Sequence, residues 1–329
     1  MDDDSEALPA VGRLLARHGS TSYFPTTVTA PLDVTLRALE RLADAIEKRQ
    51  TSGKRQGDDH HKNCSVPLGI HLEGPFISHV RRGAHPPEYL LRPTLSLFEQ
   101  FWQAARGHIR MMTIAPELEG AIEVITEAAR RGVCISLGHS DADFAAAERG
   151  IAAGALHATH TFNAMRPLEH NTLNHHSPGI LGAVLTDDRV SADIIADGIH
   201  LDPAIVKLVA TVKGFNQTVL ITDAISATGM PNGRYRLGSF EVDLCDGKCT
   251  LDGKLAGSVL TMDRAVQNLM RFAEWELPQA VAAATQNPAR VAHIPTKGRL
   301  EVGADADFLV LNRKGEVLRT FIGGVECSG

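Results

Sequence analysis

A chain of 329 residues, 43% hydrophobic and 22% charged, is long enough for one large domain with a substantial core, or for a barrel with a small appendage. Its net charge of −6 argues against nucleic acid or an anionic membrane as partner, and no apolar run approaches the roughly 20 residues of a membrane span. The acidic opening MDDDSEALPA resembles neither a secretory nor a transit signal, so the expected location is cytoplasmic, with five scattered cysteines as free thiols.

A short helix is expected at about Glu6–Arg17, followed by the strand run TSYFPTTV. Leu36, Leu39, Leu42, Ala43 and Ile46 then recur at helical spacing and predict a helix over Leu32–Lys48. The run VPLGIHLEG is an apolar strand that ends in a carboxylate, Glu73, immediately before Gly74 and Pro75. IRMMTIAPE is the next strand, and Leu118–Arg131 the next helix. VCISLGHS then leads into a helix over Asp141–Ala153, with Ser140 as its expected N-cap. LHATHTFN, VSADIIADGIH and TVLITDA complete the strand series. A β-hairpin insertion follows at about 233–255, where "DG" dipeptides mark turns. Cys245 and Cys249 lie four apart inside it, with no second half of a zinc knuckle, so a structural role is expected of them. The loop at 253–258 leads to a helix from near Met262, and ADFLVLN and VLRTFIGG end the chain as strands.

Strands that alternate with helices of this length imply a parallel sheet covered on both faces. Neither GxxxxGK[ST] nor GxGxxG occurs, which disfavours a nucleotide-binding domain. Many of the fifteen histidines fall just after strand runs: Glu73, His139, His160, His200 and Asp223 each sit at or past such an end. Polar residues at one rim, from different strands, are the pattern of a TIM-type barrel. The expected fold is therefore α/β, a (β/α)₈ barrel over residues 1–295. Only seven strands are found, as though the first were missing. Residues 296–329 are expected to form a remnant of a small β-sandwich.

One carboxylate and two imidazoles, Glu73, His139 and His160, make a zinc-type ligand set with a fourth position open to water. Asp223 beside it suits a general base, and His85 and His200 suit groups that polarise a carbonyl or bind hydroxyls. HExxH and GxSxG are both absent, so a zincin protease and a serine hydrolase are disfavoured.

The segments GIHLEGPFISHVRRGAH, SLGHSDADF, HATHTFNAMRPL, SPGILGAV, IIADGIHLDP, ITDAISATGM and LAGSVLTMDRAVQNL, with NPAR and KGRLEVGADADFLVLN, resemble the N-acetylglucosamine-6-phosphate deacetylases of the amidohydrolase superfamily. The resemblance covers almost the whole chain in order. It implies metal-dependent hydrolysis of the acetamide of N-acetylglucosamine 6-phosphate, giving glucosamine 6-phosphate and acetate. Glu73, His139 and His160 fall on the metal ligands, Asp223 on the acid/base, and His200 on a substrate-contacting histidine. Ala84 and His85, Asn163 and Ala164, and Leu255, Ala256 and Gly257 match substrate-contacting segments, with the main-chain N–H groups at 163–164 as a phosphate cradle. One divalent ion is implied, zinc first, with iron or manganese as alternatives.

The chain departs from that family in two places. Where relatives carry a phosphate-binding arginine before Pro-Gly, this chain has His176, and His175 and His176 are expected to share the task. The family also begins with sandwich strands and a first barrel strand, whereas this sequence enters the pattern just before the first barrel helix. The alternative readings are therefore a sugar-phosphate-binding remnant without turnover, or an amidohydrolase acting on a cyclic amide. The resemblance further implies a homodimer, with the NHHSPG loop serving the neighbouring copy's site.

Overall fold

The computed structural model describes residues 7–52, 64–170 and 176–327. Seven strands form one parallel sheet: β1 (Thr26–Thr27), β2 (Ile70–Glu73), β3 (Ile109–Ile114), β4 (Cys134–Leu137), β5 (Ala155–Ala158), β6 (Ser191–Ile195) and β7 (Thr218–Ile221). They pair in chain order, each beside the next, so the sheet curls as an open barrel with β1 and β7 at its edges. No described residue forms an eighth strand between those edges.

Helices connect successive strands and cover the outside: α1 (Ala7–Arg17) before β1, then α2 (Leu32–Ser52), α3 (Leu95–Ala104), α4 (Ala121–Arg130), α5 (Phe144–Ala152), α6 (Gly179–Thr186) and α7 (Pro203–Gln217). The helical spacing read in α2 is the spacing of its buried face, where Leu39, Ala43 and Ile46 are fully enclosed and Leu36 and Leu42 pack partly buried against the core. Central strands are apolar on both faces because side chains point alternately to helices and barrel interior; all of β4 is buried. The last turn of the expected 141–153 helix is in place, but its start moves. Asp143 caps α5 by accepting from Ala146 N–H at 2.7 Å, while the Ser140 hydroxyl donates instead to Glu117 Oε2 at 2.7 Å.

After β7 the expected hairpin is a four-stranded antiparallel sheet, β8 (Gly233–Leu237), β9 (Phe240–Cys245), β10 (Lys248–Leu251) and β11 (Lys254–Leu255). Cys245 is exposed on β9 and Cys249 buried on β10; all five cysteines are free thiols. Helices α8 (Met262–Ala273), α9 (Leu277–Ala284) and α10 (Gln286–Val291) then close that side of the sheet. The chain finishes in an antiparallel sheet of β12 (Phe308–Leu311), β13 (Val317–Ile322) and β14 (Val325–Glu326), against which α1 rests through the Thr320 hydroxyl bound to Ala16 O at 2.8 Å. Among the described residues no helix is long and apolar enough to cross a membrane.

Candidate active site

The C-terminal rim is where backbone strain concentrates. His139, His160, Phe162, Ala164 and Asp223 all adopt positive φ, between 32° and 79°, a region that costs a non-glycine residue energy and persists only where surroundings over-determine it. All five lie in the segments that follow the C-terminal ends of β4, β5 and β7. Gly138 permits one such turn, since a Cβ there would come within 2.8 Å of Thr113 Cγ2 and 2.9 Å of Thr159 Cβ.

At the centre, His139 Nε2 and His160 Nε2 stand 3.0 Å apart, and Glu73 Oε1 lies 3.3 Å from the first and 3.2 Å from the second. These separations match the edge of a tetrahedron of ligands around an ion with bonds near 2.0–2.1 Å, about 3.3 Å. The other ring nitrogens support the same reading. His139 Nδ1 donates to Arg81 O at 2.9 Å and His160 Nδ1 to Asn163 O at 3.1 Å. In neutral rings both Nε2 atoms then turn lone pairs toward each other, which repel unless a cation sits between. Donation of the second N–H to a carbonyl is the usual way a metal-binding imidazole is oriented.

Charge tells the same story. Burial opposes ionisation of Glu73, yet the facing imidazoles of His139 and His160 hold its carboxyl well below the usual range. Burial also opposes a charged His160, and the Glu73 carboxylate outweighs it, pushing the imidazole up to about 9. The cluster favours positive charge at its centre, and among the described residues no other group of histidine, cysteine, aspartate or glutamate side chains converges this closely.

Around the trio stand the remaining candidates. Asp223 is half-buried at the end of β7, and burial together with the charge of Glu73 pushes its carboxyl up to about 7. A bridge to the following segment holds it: Ser258 N–H donates to Asp223 O at 2.8 Å, and Ile225 N–H to Ser258 O at 3.0 Å. His85 is buried beside His139, ring centres 4.7 Å apart, and burial and that neighbour lower its pKa to about 3. Its Nδ1 accepts from Thr29 N–H at 3.3 Å, so the neutral ring carries its proton on Nε2, as a donor. His200 Nδ1 is 2.7 Å from Asp197 Oδ2; burial opposes the charge of Asp197, but this contact and two main-chain N–H groups keep its pKa low.

Asp223, His85, His200, Asn163 and Ala164 line one cavity with the trio, of about 1770 Å³. That exceeds an ordinary small-molecule site because the space continues between the edge strands β1 and β7 toward α1 and β12. Leu255, Ala256 and Gly257 line its other wall. The N–H of Asn163 already donates to His160 O at 2.8 Å, which leaves the Ala164 N–H and the buried, unpartnered Asn163 Nδ2 as the donors of that segment. His176 is exposed on a two-residue strand paired with Glu169–His170, away from the described lining of this cavity, and His175 lies outside the described residues. Sequence reading missed Thr29, Asp197 and Glu117, the residues that hold His85, His200 and the turn after His139.

A curled parallel sheet whose strand ends converge two imidazoles and a carboxylate defines a metal-dependent barrel hydrolase. The chain belongs to the amidohydrolase family, whose family model matches residues 15–327. It is similar to the N-acetylglucosamine-6-phosphate deacetylase of Bos taurus, 38% identical over 98% of this chain and 77% of the relative, and to that of Lysinibacillus sphaericus, 34% identical over 95% and 76%. Among solved structures it superposes on a mutant of the Mycobacterium smegmatis N-acetyl-D-glucosamine-6-phosphate deacetylase in complex with N-acetyl-D-glucosamine-6-phosphate. The TM-score is 0.87 at 34% identity, covering 98% of this chain and 80% of that one.

Proposed function

We propose that this chain hydrolyses the acetamide of N-acetylglucosamine 6-phosphate to glucosamine 6-phosphate and acetate. The observation that carries the reading is the convergence of the Glu73 Oε1 and the His139 and His160 Nε2 atoms at ligand-to-ligand spacing, in a chain similar over most of its length to deacetylases of that name. The three would hold one divalent cation, zinc by the nitrogen-rich donor set, with iron or manganese fitting the same ligands. When bound, such an ion supplies Lewis-acid polarisation and eases ionisation of water near neutral pH.

The chain's own residues would do the rest. Asp223, its pKa raised to about 7, is poised both to take a proton from the attacking water and to return it to the departing amine. The Nε2–H of His85 would donate to the amide oxygen or a sugar hydroxyl, while His200, whose Nδ1–H goes to the Asp197 carboxylate, would offer Nε2 as an acceptor to a sugar hydroxyl. Ala164 N–H and Asn163 Nδ2 are the donors we assign to the phosphate, with Ala84 and the 255–257 segment shaping the sugar pocket. Because His176 lies away from its own cavity, its contribution with His175 would come from a second copy in a homodimer. Free cysteines suit a cytoplasmic setting.

Acetate release from N-acetylglucosamine 6-phosphate by the zinc-loaded chain tests the reading. Turnover that disappears on chelation and returns with zinc is expected; sugar-phosphate binding with no acetate released would leave a binding remnant instead.

A further inference from the structure

The pairing of β5 with β6 stops early. Only Ser191 with His157 and Ala192 with Ala158 are in register, and beyond Ala158 the chain turns inward to present His160 at a φ of 32°. The ladder is continued there by a side chain. Asp193, on β6 and 2% exposed, accepts the His160 main-chain N–H at Oδ1. Its own carbonyl accepts from Thr161 N–H at 2.9 Å. Its second oxygen, Oδ2, lies 2.9 Å from Nε2 of His157, which is 1% exposed on β5. No described group meets His157 Nδ1, so the neutral ring keeps its single hydrogen on Nε2 and gives it to Asp193.

Nothing in the hydrolytic reading uses this pair, although a buried carboxylate is costly without a task. A carboxylate kept only for packing would be satisfied by His157 alone. Here the other oxygen grips the backbone of a metal ligand at the residue whose conformation is strained. The ring of His160 is fixed at its far side by Asn163 O, and its main chain by Asp193, so two anchors set the direction of Nε2.

We propose that Asp193 is a positioning residue for the metal centre: its carboxylate locks the left-handed turn at His160 so that Nε2 meets Glu73 and His139, and His157 orients that carboxylate from inside the barrel. The inference rests on reading the trio as a metal site. It claims that an acceptor at one place matters, rather than negative charge in general.

A crossed pair of variants separates those claims. Asp193→Asn keeps an acceptor at the same reach without the charge; Asp193→Glu keeps the charge but carries its oxygens a methylene too far. Zinc affinity is measured by chelator competition on the full chain, alongside the melting temperature of each metal-free variant. Asp193→Asn is expected within about threefold of the unchanged chain, and Asp193→Glu about 10- to 100-fold weaker, the usual loss when a partner of a metal ligand is removed. Asp193→Leu, similar in shape and without an acceptor, is expected to match Asp193→Glu. If Asp193→Leu does not fold, the contrast between the asparagine and glutamate variants still decides. Any other ordering of that contrast, including equal affinity in both or equal loss in both, overturns the proposal. Failure of the unchanged chain to bind zinc would instead sink the metal reading itself.

Discussion

The strands that carry the candidate metal ligands and the strand that carries the acid/base candidate stand in unlike surroundings. β2, β4 and β5 each have a strand on both sides, and the rim residues that follow β4 and β5 are pinned by further hydrogen bonds. β7 has β6 on one side and, among the described residues, the cavity on the other. Asp223 at its end depends on a single bridge to Ser258 and on close packing of Gly257, where a Cβ would come within 2.3 Å of Ile225 Cγ2. Under the proposed function, metal binding would belong to the sheet's interior and proton transfer to its edge. The two should separate under mutation.

Glu73→Gln gives the largest expected effect, because it removes the only carboxylate of the trio. Acetate release should fall by more than about 10³-fold together with zinc affinity, measured by chelator competition. Asp223→Asn should break only the edge function: kcat down by roughly 10²–10⁴, zinc affinity within about threefold, and loss of the rising limb of kcat/KM that an acid titrating at or below about pH 7 produces. Retained kcat would remove Asp223 from the mechanism.

Gly257→Val tests the edge without touching a reacting group. A bulky side chain at φ 64° must displace Ile225 and with it Asp223, so kcat is expected to drop about 10- to 100-fold while zinc affinity holds. Equal loss of both would show that edge and interior are one unit. His176→Ala is smaller still: about a three- to tenfold rise in KM for the phosphorylated sugar with kcat little changed, as for loss of one charge-assisted contact. An unchanged KM would end the proposal that this histidine serves a neighbouring copy.

The least effect concerns stability. The folded pKa of Asp223 lies above its ordinary value, so the folded chain binds that proton more tightly than the unfolded one. Its contribution to stability therefore declines as pH rises from about 4 through about 7. In metal-free protein, Asp223→Asn should raise the melting temperature at pH 8 by about 2–5 °C and leave it nearly unchanged at pH 4. A variant less stable at pH 8 than the unchanged chain contradicts the burial argument.

Much of the interior was legible in the sequence because strands buried on both faces announce themselves, and a polar residue at the end of such a run has few innocent explanations. Glu73, His139, His160 and Asp223 were singled out in that way, and they line one cavity. What stayed hidden depends on contacts between distant residues. Thr29 holds His85 across 56 positions and Asp193 holds His160 across 33, separations that leave no local period to read. Asp197 could have been found, since ADGIH places it three residues before His200 and a local Asp–His contact of that kind needs only a turn. Ser140 was read as a helix cap on residue type alone, but a buried acceptor, Glu117, competes for its hydroxyl and Asp143 takes the capping place.

The account stands or falls with the cation that the trio is arranged to hold. Equilibrium titration of the metal-stripped chain with zinc, read by bound metal per chain, tests it most directly. One ion per chain, with binding weakened about 10²-fold or more in each of Glu73→Gln, His139→Ala and His160→Ala, is the predicted result. Absence of stoichiometric binding, or binding that survives all three substitutions, would contradict it.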